Sequence, residues 1–81
     1  MYYCEFCKQP IEKLRDGLVL KIRSGNGDFE KGLVLHKGDC DDNVAAFYSN
    51  QGKNTNGTMT LDMLESLEWV EKYRVTGELP Q

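Results

Sequence analysis

The 81 residues include only one histidine and three cysteines, so residues able to hold a metal or act as nucleophiles are few. An odd number of cysteines cannot close a disulfide framework without remainder. No run approaches the roughly 20 apolar residues that span a bilayer. The opening "MYYCEFCKQPIEK" lacks the basic and then apolar pattern of a secretory leader, so the expectation is a cytoplasmic protein with reduced thiols and no membrane contact. There is no basic excess either: the formal net charge is −3. No glycine-rich phosphate loop is present, because "SGNGD" lacks the lysine such a loop needs and reads as a turn.

What remains is globular in character. Apolar residues make up 40% and charged residues of both signs 28%, which excludes a disordered or membrane class. A chain this short builds a marginal hydrophobic core, so a metal or another cross-link would help it fold as the single domain its length suggests. Charge is uneven along it. Residues 1–58 hold eight basic and eight acidic groups, whereas residues 59–81 hold two basic (Lys72, Arg74) and five acidic (Asp62, Glu65, Glu68, Glu71, Glu78).

Two β-rich runs flank Asn26-Gly27, a strong signal for a two-residue hairpin turn with positive φ at both positions. Residues 17–36 are therefore predicted to form a hairpin that sets Leu20 opposite Leu33, Leu18 opposite Leu35 and Arg23 opposite Glu30. In this register Ile22 faces Lys31, a poorer match. The repeated "GLVL" at 17–20 and 32–35 is too short to count as a structural repeat and reflects similar demands on paired strands. Asp39 is the predicted N-cap of a helix over 40–49 with Val44, Phe47 and Tyr48 inward, and Asp41 and Asp42 suit its dipole. Residues 51–58 are predicted to be a polar loop. Residues 59–77 read as one acidic amphipathic helix: Thr60 is the N-cap, Met59 and Leu64 staple it, Met63, Leu67, Val70 and Tyr73 share a face, and Gly77 and Pro80 end it.

The chemistry-bearing residues fall into two pairs. In "CEFC", Cys4 and Cys7 are spaced so that two thiolates can converge on one ion while a tight turn aims backbone N–H groups at the sulfurs, with Lys8 and Gln9 completing a knuckle. In "HKGDC", His36 ends the second strand and Cys40 enters the helix. Each pair has a plainer reading. C-x-x-C also suits a thioredoxin-type redox pair, which needs a strand leading in and a helix starting at the motif, and "MYY" is a short approach. A histidine beside "LVL" also suits a core residue.

The order of knuckle, hairpin and helix resembles the treble-clef class of zinc fingers over residues 1 to about 50. The resemblance implies a small α+β zinc-stabilised domain in which Cys4, Cys7, His36 and Cys40 close a tetrahedral structural Zn²⁺ site, with the C-terminal amphipathic helix added. Comparable gaps between the pairs occur in the DNA-break-sensing domains of poly(ADP-ribose) polymerases. There the second pair is H-x-x-C, whereas this chain has H-x-x-x-C, so only the architecture carries over. The four residues use every cysteine and the only histidine. A closed site activates no water and leaves no free histidine or cysteine, so the expectation is a non-enzyme.

Two binding functions follow. The leading one is a protein-interaction adaptor or regulator that docks a partner through Trp69, Glu65 and Glu68 on the acidic helix, with an equal reading in which Trp69 caps the core. The alternative is nucleic-acid binding through Lys13, Arg15, Lys21 and Arg23 on the hairpin, disfavoured by the acidic balance. Zinc bound by three thiolates takes the net charge to about −4, with Lys8 and Lys37 close enough in sequence to offset it. Self-association of the acidic helix is a third expectation, opposed by repulsion between Glu68 and Glu71 across a symmetric interface.

Overall fold

The computed structural model describes residues 2–64 and 66–78. Glu65 and the predicted stop at Pro80 lie outside them. Two short strands, β1 (Tyr2–Tyr3) and β2 (Pro10–Ile11), pair antiparallel and enclose the "CEFC" turn. A 3-10 turn (Leu14–Asp16) leads into β3 (Gly17–Arg23), which pairs antiparallel with β4 (Phe29–His36). Helix α1 (Asp39–Ser49) is followed by β5 (Asn54–Thr60), a single-turn helix α2 (Leu61–Leu64) and α3 (Leu67–Thr76). The main sheet runs β4-β3-β5.

Helix α1 packs on one face of this sheet, and α3 on the other. The central strand is therefore covered on both sides, which explains why Leu18, Val19 and Leu20 are all buried although alternate side chains point to opposite faces. Leu18, Leu20, Leu33 and Leu35 lie on the α1 side, and Val19 and Val34 on the α3 side. The two glycines of the repeated "GLVL" share the α3 side. A Cβ on Gly17 would meet Leu61 at 2.6 Å and Ile11 at 2.8 Å, and one on Gly32 would meet the Arg74 backbone at 2.9 Å. Both strands thus need a residue without a side chain beneath the C-terminal helices.

The hairpin register agrees with expectation at Leu18 with Leu35, Leu20 with Leu33 and Ile22 with Lys31. It then shifts, pairing Arg23 with Phe29 rather than Glu30. Ser24 N–H donates to Asp28 O (2.8 Å) and Gly27 N–H to Ser24 O (2.9 Å). Of the loop residues only Gly27 has positive φ. The loop is one residue longer than a two-residue turn, which places Asn26 outside the left-handed region and moves the register by one.

Residues 54–60 are a strand and not a loop. The β3 backbone groups facing away from β4 need partners, and β5 supplies them despite its polar sequence. A register shift opposite Leu20 places Gly57 where a Cβ would meet Asp41 on α1 at 3.0 Å. The predicted N-cap Asp39 is instead the first residue of α1, and Gly38 is the cap. Phe47 is 60% exposed instead of inward, while Val44 is buried and Tyr48 partly so.

The single helix over 59–77 is also replaced. Met59 and Thr60 belong to β5, α2 ends at Leu64, and Ser66 caps α3 by accepting the Trp69 N–H at 3.2 Å. The break has a packing cause. Leu61 and Leu64 are buried in α2, and Val70 and Tyr73 in α3. Leu61 and Val70 would point to opposite sides of an unbroken helix at about 100° per residue. Breaking the helix buries both pairs and leaves Met63 and Leu67 exposed. Ser66→Ala is expected to cost about 1 kcal/mol, or roughly 4–8 °C in Tm, because the N-terminal amides of α3 lose their acceptor. An unchanged melting curve would place the start of the helix elsewhere.

Candidate metal centre

The "CEFC" turn is held at both ends. Cys4 N–H donates to Gln9 O (3.0 Å) and Lys8 N–H to Cys4 O (2.9 Å), with Lys8 in the left-handed region at φ 66. Glu5 then ties the turn to the edge of β4. Its N–H donates to Val34 O at 2.8 Å, and its carboxylate accepts Val34 N–H at 2.6 Å. This double clasp delivers Cys4 and Cys7 beside the end of β4, where His36 sits, and α1 begins three residues later to supply Cys40.

The sulfurs of Cys4, Cys7 and Cys40 and a ring nitrogen of His36 all lie within 4.8 Å of one another. Nδ1 of His36 is 3.3 Å from Cys7 Sγ and 3.9 Å from Cys40 Sγ. The opposite ring nitrogen, Nε2, is 3.1 Å from Pro10 O. A donor hydrogen on Nε2 satisfies that carbonyl and leaves the Nδ1 lone pair facing the sulfurs, as a metal-ligating imidazole requires. The four residues can hold a metal ion. "CEFC" lies between two short strands with no helix starting at it, unlike a thioredoxin-type pair, and His36 is half-buried rather than a core residue.

Burial pushes the Cys4 thiol up, yet N–H groups of Cys7, His36 and Phe6 aimed at its sulfur outweigh this and bring it down to about 6. The His36 N–H stands 3.5 Å from that sulfur. Cys40 is pushed up to about 12 by burial and then by the neighbouring Cys4 and Cys7 sulfurs. His36 is raised, chiefly by its hydrogen bond to Cys4. Three sulfurs gathered this closely resist joint ionisation, and a cation between them relieves the repulsion.

Metal uptake at pH 7 is therefore expected to release the Cys40 proton. Calorimetry in two buffers of different ionisation enthalpy would detect the release, and identical heats would contradict it. The sign for acid follows from Cys4, whose folded value lies below its ordinary 9.0. Its stabilising contribution is complete above pH 9 and is lost as pH falls through about 6, so the metal-free fold is expected to weaken across that window, as melting curves against pH would show.

No family model, curated protein or solved structure matches the chain.

The four predicted nucleic-acid-binding cations do not share one patch. Lys13 and Arg15 flank or lie in the turn before β3, whereas Arg23 ends that seven-residue strand, about 20 Å away at 3.3 Å per residue. Lys21 is half-buried under α3, donates to Gly77 O at 3.0 Å and lies over the Tyr73 ring. Its ammonium is occupied in joining β3 to the end of α3, and burial lowers its pKa. Trp69 is partly buried against the core with the Lys72 ammonium 4.8 Å from its ring centre, and Glu68 is exposed. Sequence reasoning missed the Pro10 carbonyl and the Glu5 clasp, since neither a backbone acceptor nor a single glutamate between two cysteines carries a pattern of its own. Among the described residues no helix is long and apolar enough to cross a membrane.

Proposed function

We propose that this chain is a non-catalytic zinc-built module that binds another protein. The observation that carries the reading is the convergence of four donors from the knuckle, the end of β4 and the first turn of α1, with the second His36 nitrogen engaged by Pro10. Three sulfurs and an imidazole suit Zn²⁺ better than the harder divalent ions. At zinc bond lengths a tetrahedral shell separates sulfur and nitrogen donors by about 3.6 Å. The distances of 3.3 and 3.9 Å bracket that spacing. The sequence of knuckle, hairpin and helix supports a treble-clef arrangement, to which β5, α2 and α3 add a third strand and a second helical layer.

Four protein donors fill a tetrahedral shell, so the ion's role is to hold three segments together rather than to activate water. Reduced thiols of this kind suit the cytoplasm. A protein partner is favoured over nucleic acid because the net charge of −3 falls further on zinc binding and the four candidate cations are dispersed or engaged.

Metal analysis of the purified chain should find one zinc per molecule, and cobalt substitution should give the intense visible bands of a tetrahedral thiolate site. A weak octahedral spectrum would overturn the metal assignment. Affinity capture with the zinc-loaded chain should retain a protein that the chelated chain does not. Tight, salt-sensitive binding to duplex or single-stranded DNA or RNA would instead favour the nucleic-acid reading.

A further inference from the structure

The face of the sheet that carries α1 is incompletely covered. A groove of about 580 Å³ lies between the "CEFC" turn and α1, within the range of about 300–1,000 Å³ for sites that seat a compact ligand. Leu33, Leu35 and Val44 line it together with Phe6, Phe47 and Tyr48. Phe6 is 52% and Phe47 60% exposed, so two large aromatic side chains border one concave apolar surface. The candidate metal centre lies behind this shape, because Phe6 stands between Cys4 and Cys7 and Cys40 is in the first turn of α1.

Cations outnumber unpaired carboxylates at the groove: Lys8 and Lys31 stand against Glu5, which lines the groove and keeps its negative charge. The Glu5 carboxylate is occupied by Val34 N–H, and Glu30 is paired with Lys53 at 2.6 Å. Among the described residues no carboxylate lies within ion-pair distance of Lys8 or Lys31. Lys8 lines the groove, and Lys31 stands 5.4 Å from the centre of the Tyr48 ring, on the same side of β4 as Leu33 and Leu35.

We propose that this groove receives an acidic segment of a partner protein. A large apolar side chain of that segment seats on the half-buried Leu33 between Phe6 and Phe47, with Leu35 and Val44 buried beneath, and its flanking carboxylates meet Lys8 and Lys31. The inference rests on the protein-binding reading above and moves the working surface from α3 to α1 and the knuckle. An aliphatic floor suits a branched or aromatic side chain better than a row of stacked bases. Phe47 and Tyr48 also meet edge to face at 82°, which is no flat stacking platform.

The test is fluorescence anisotropy of the full zinc-loaded chain with labelled peptides of about twelve residues in which Leu, Phe or Trp stands among glutamates. Those peptides are expected to bind, and replacing the apolar residue by Ser or the glutamates by Lys should weaken binding at least about tenfold. Phe47→Ser and Lys31→Glu change exposed side chains, so folding should survive, as circular dichroism would verify. Each should weaken binding by a similar factor, whereas Leu67→Ser, on the other face of the sheet, should not. No binding by any peptide, binding indifferent to Phe47→Ser, or preferential binding of single-stranded oligonucleotides would overturn the proposal. So would Phe47-dependent dimerisation in sedimentation velocity, which would assign the groove to a second copy. If a captured partner survives Phe47→Ser but is lost with Leu67→Ser, the adaptor reading stands and the groove assignment fails. Absence of stoichiometric zinc would instead remove the reading on which both rest.

Discussion

With zinc as the proposed ion, a strong chelator at pH 7 is expected to unfold the whole chain. Structural zinc in small fingers contributes apparent free energies of about 10–16 kcal/mol, whereas domains of this size are stable by only about 4–12 kcal/mol. Loss should spread beyond the ligands because Cys4 belongs to the core that also contains Leu35, Val44, Leu61 and Val70. The far-UV signal should collapse, and Trp69 emission should shift to the red in the same transition although Trp69 lies in α3, outside the metal-bound segments. Cys4→Ser should behave like the chelated protein, because it removes a ligand and leaves a buried hydroxyl where backbone N–H groups were aimed at a thiolate. A far-UV change without movement of Trp69 would show that α3 and β5 fold independently of the metal.

Gly32→Val should lower stability by about 3 kcal/mol, on the order of 15 °C in Tm. Strand propensity alone predicts the opposite sign, since valine is favoured in β-strands and glycine disfavoured. The structure reverses it because a Cβ at Gly32 would stand 2.9 Å from Arg74 Cα, 2.9 Å from Val19 Cγ1 and 3.0 Å from Arg74 O. Backbone atoms cannot rotate away as the end of a side chain can, so α3 must lift from the sheet. Lys31→Val, at the exposed neighbouring position of β4, should change stability by less than about 0.5 kcal/mol and serves as the control for strand propensity. A higher Tm for Gly32→Val would mean that α3 does not cross β4 there.

Much of the candidate centre was legible because its chemistry is rare in this chain. Three cysteines and one histidine leave few combinations, and "CEFC" and "HKGDC" are local motifs whose spacing limits the geometry. The middle of the hairpin was equally legible, since Leu18, Leu20, Leu33 and Leu35 alternate in a way that permits few registers. β5 is different in kind: it is polar because it is an edge strand, so its assignment depends on the unpaired side of β3 and no apolar alternation marks it. Similarly, the apolar spacing of Met63, Leu67, Val70 and Tyr73 fits one helix, while Leu61 and Leu64 fit another orientation. Only packing against the sheet decides between them.

The sequence by itself determined the ligand set able to hold a metal, the central hairpin pairing and the presence of a helix after the hairpin. These depend on residue types and on separations of a few positions, where covalent geometry leaves little freedom. The tertiary structure alone decided that β5 completes the sheet, that Ser66 starts a new helix, that Lys21 is tied to Gly77, and that Phe6 and Phe47 border one groove. Each of these depends on which surfaces meet, and a long-range contact leaves no local pattern when its partners are polar, as in β5, or a single glycine, as at Gly32.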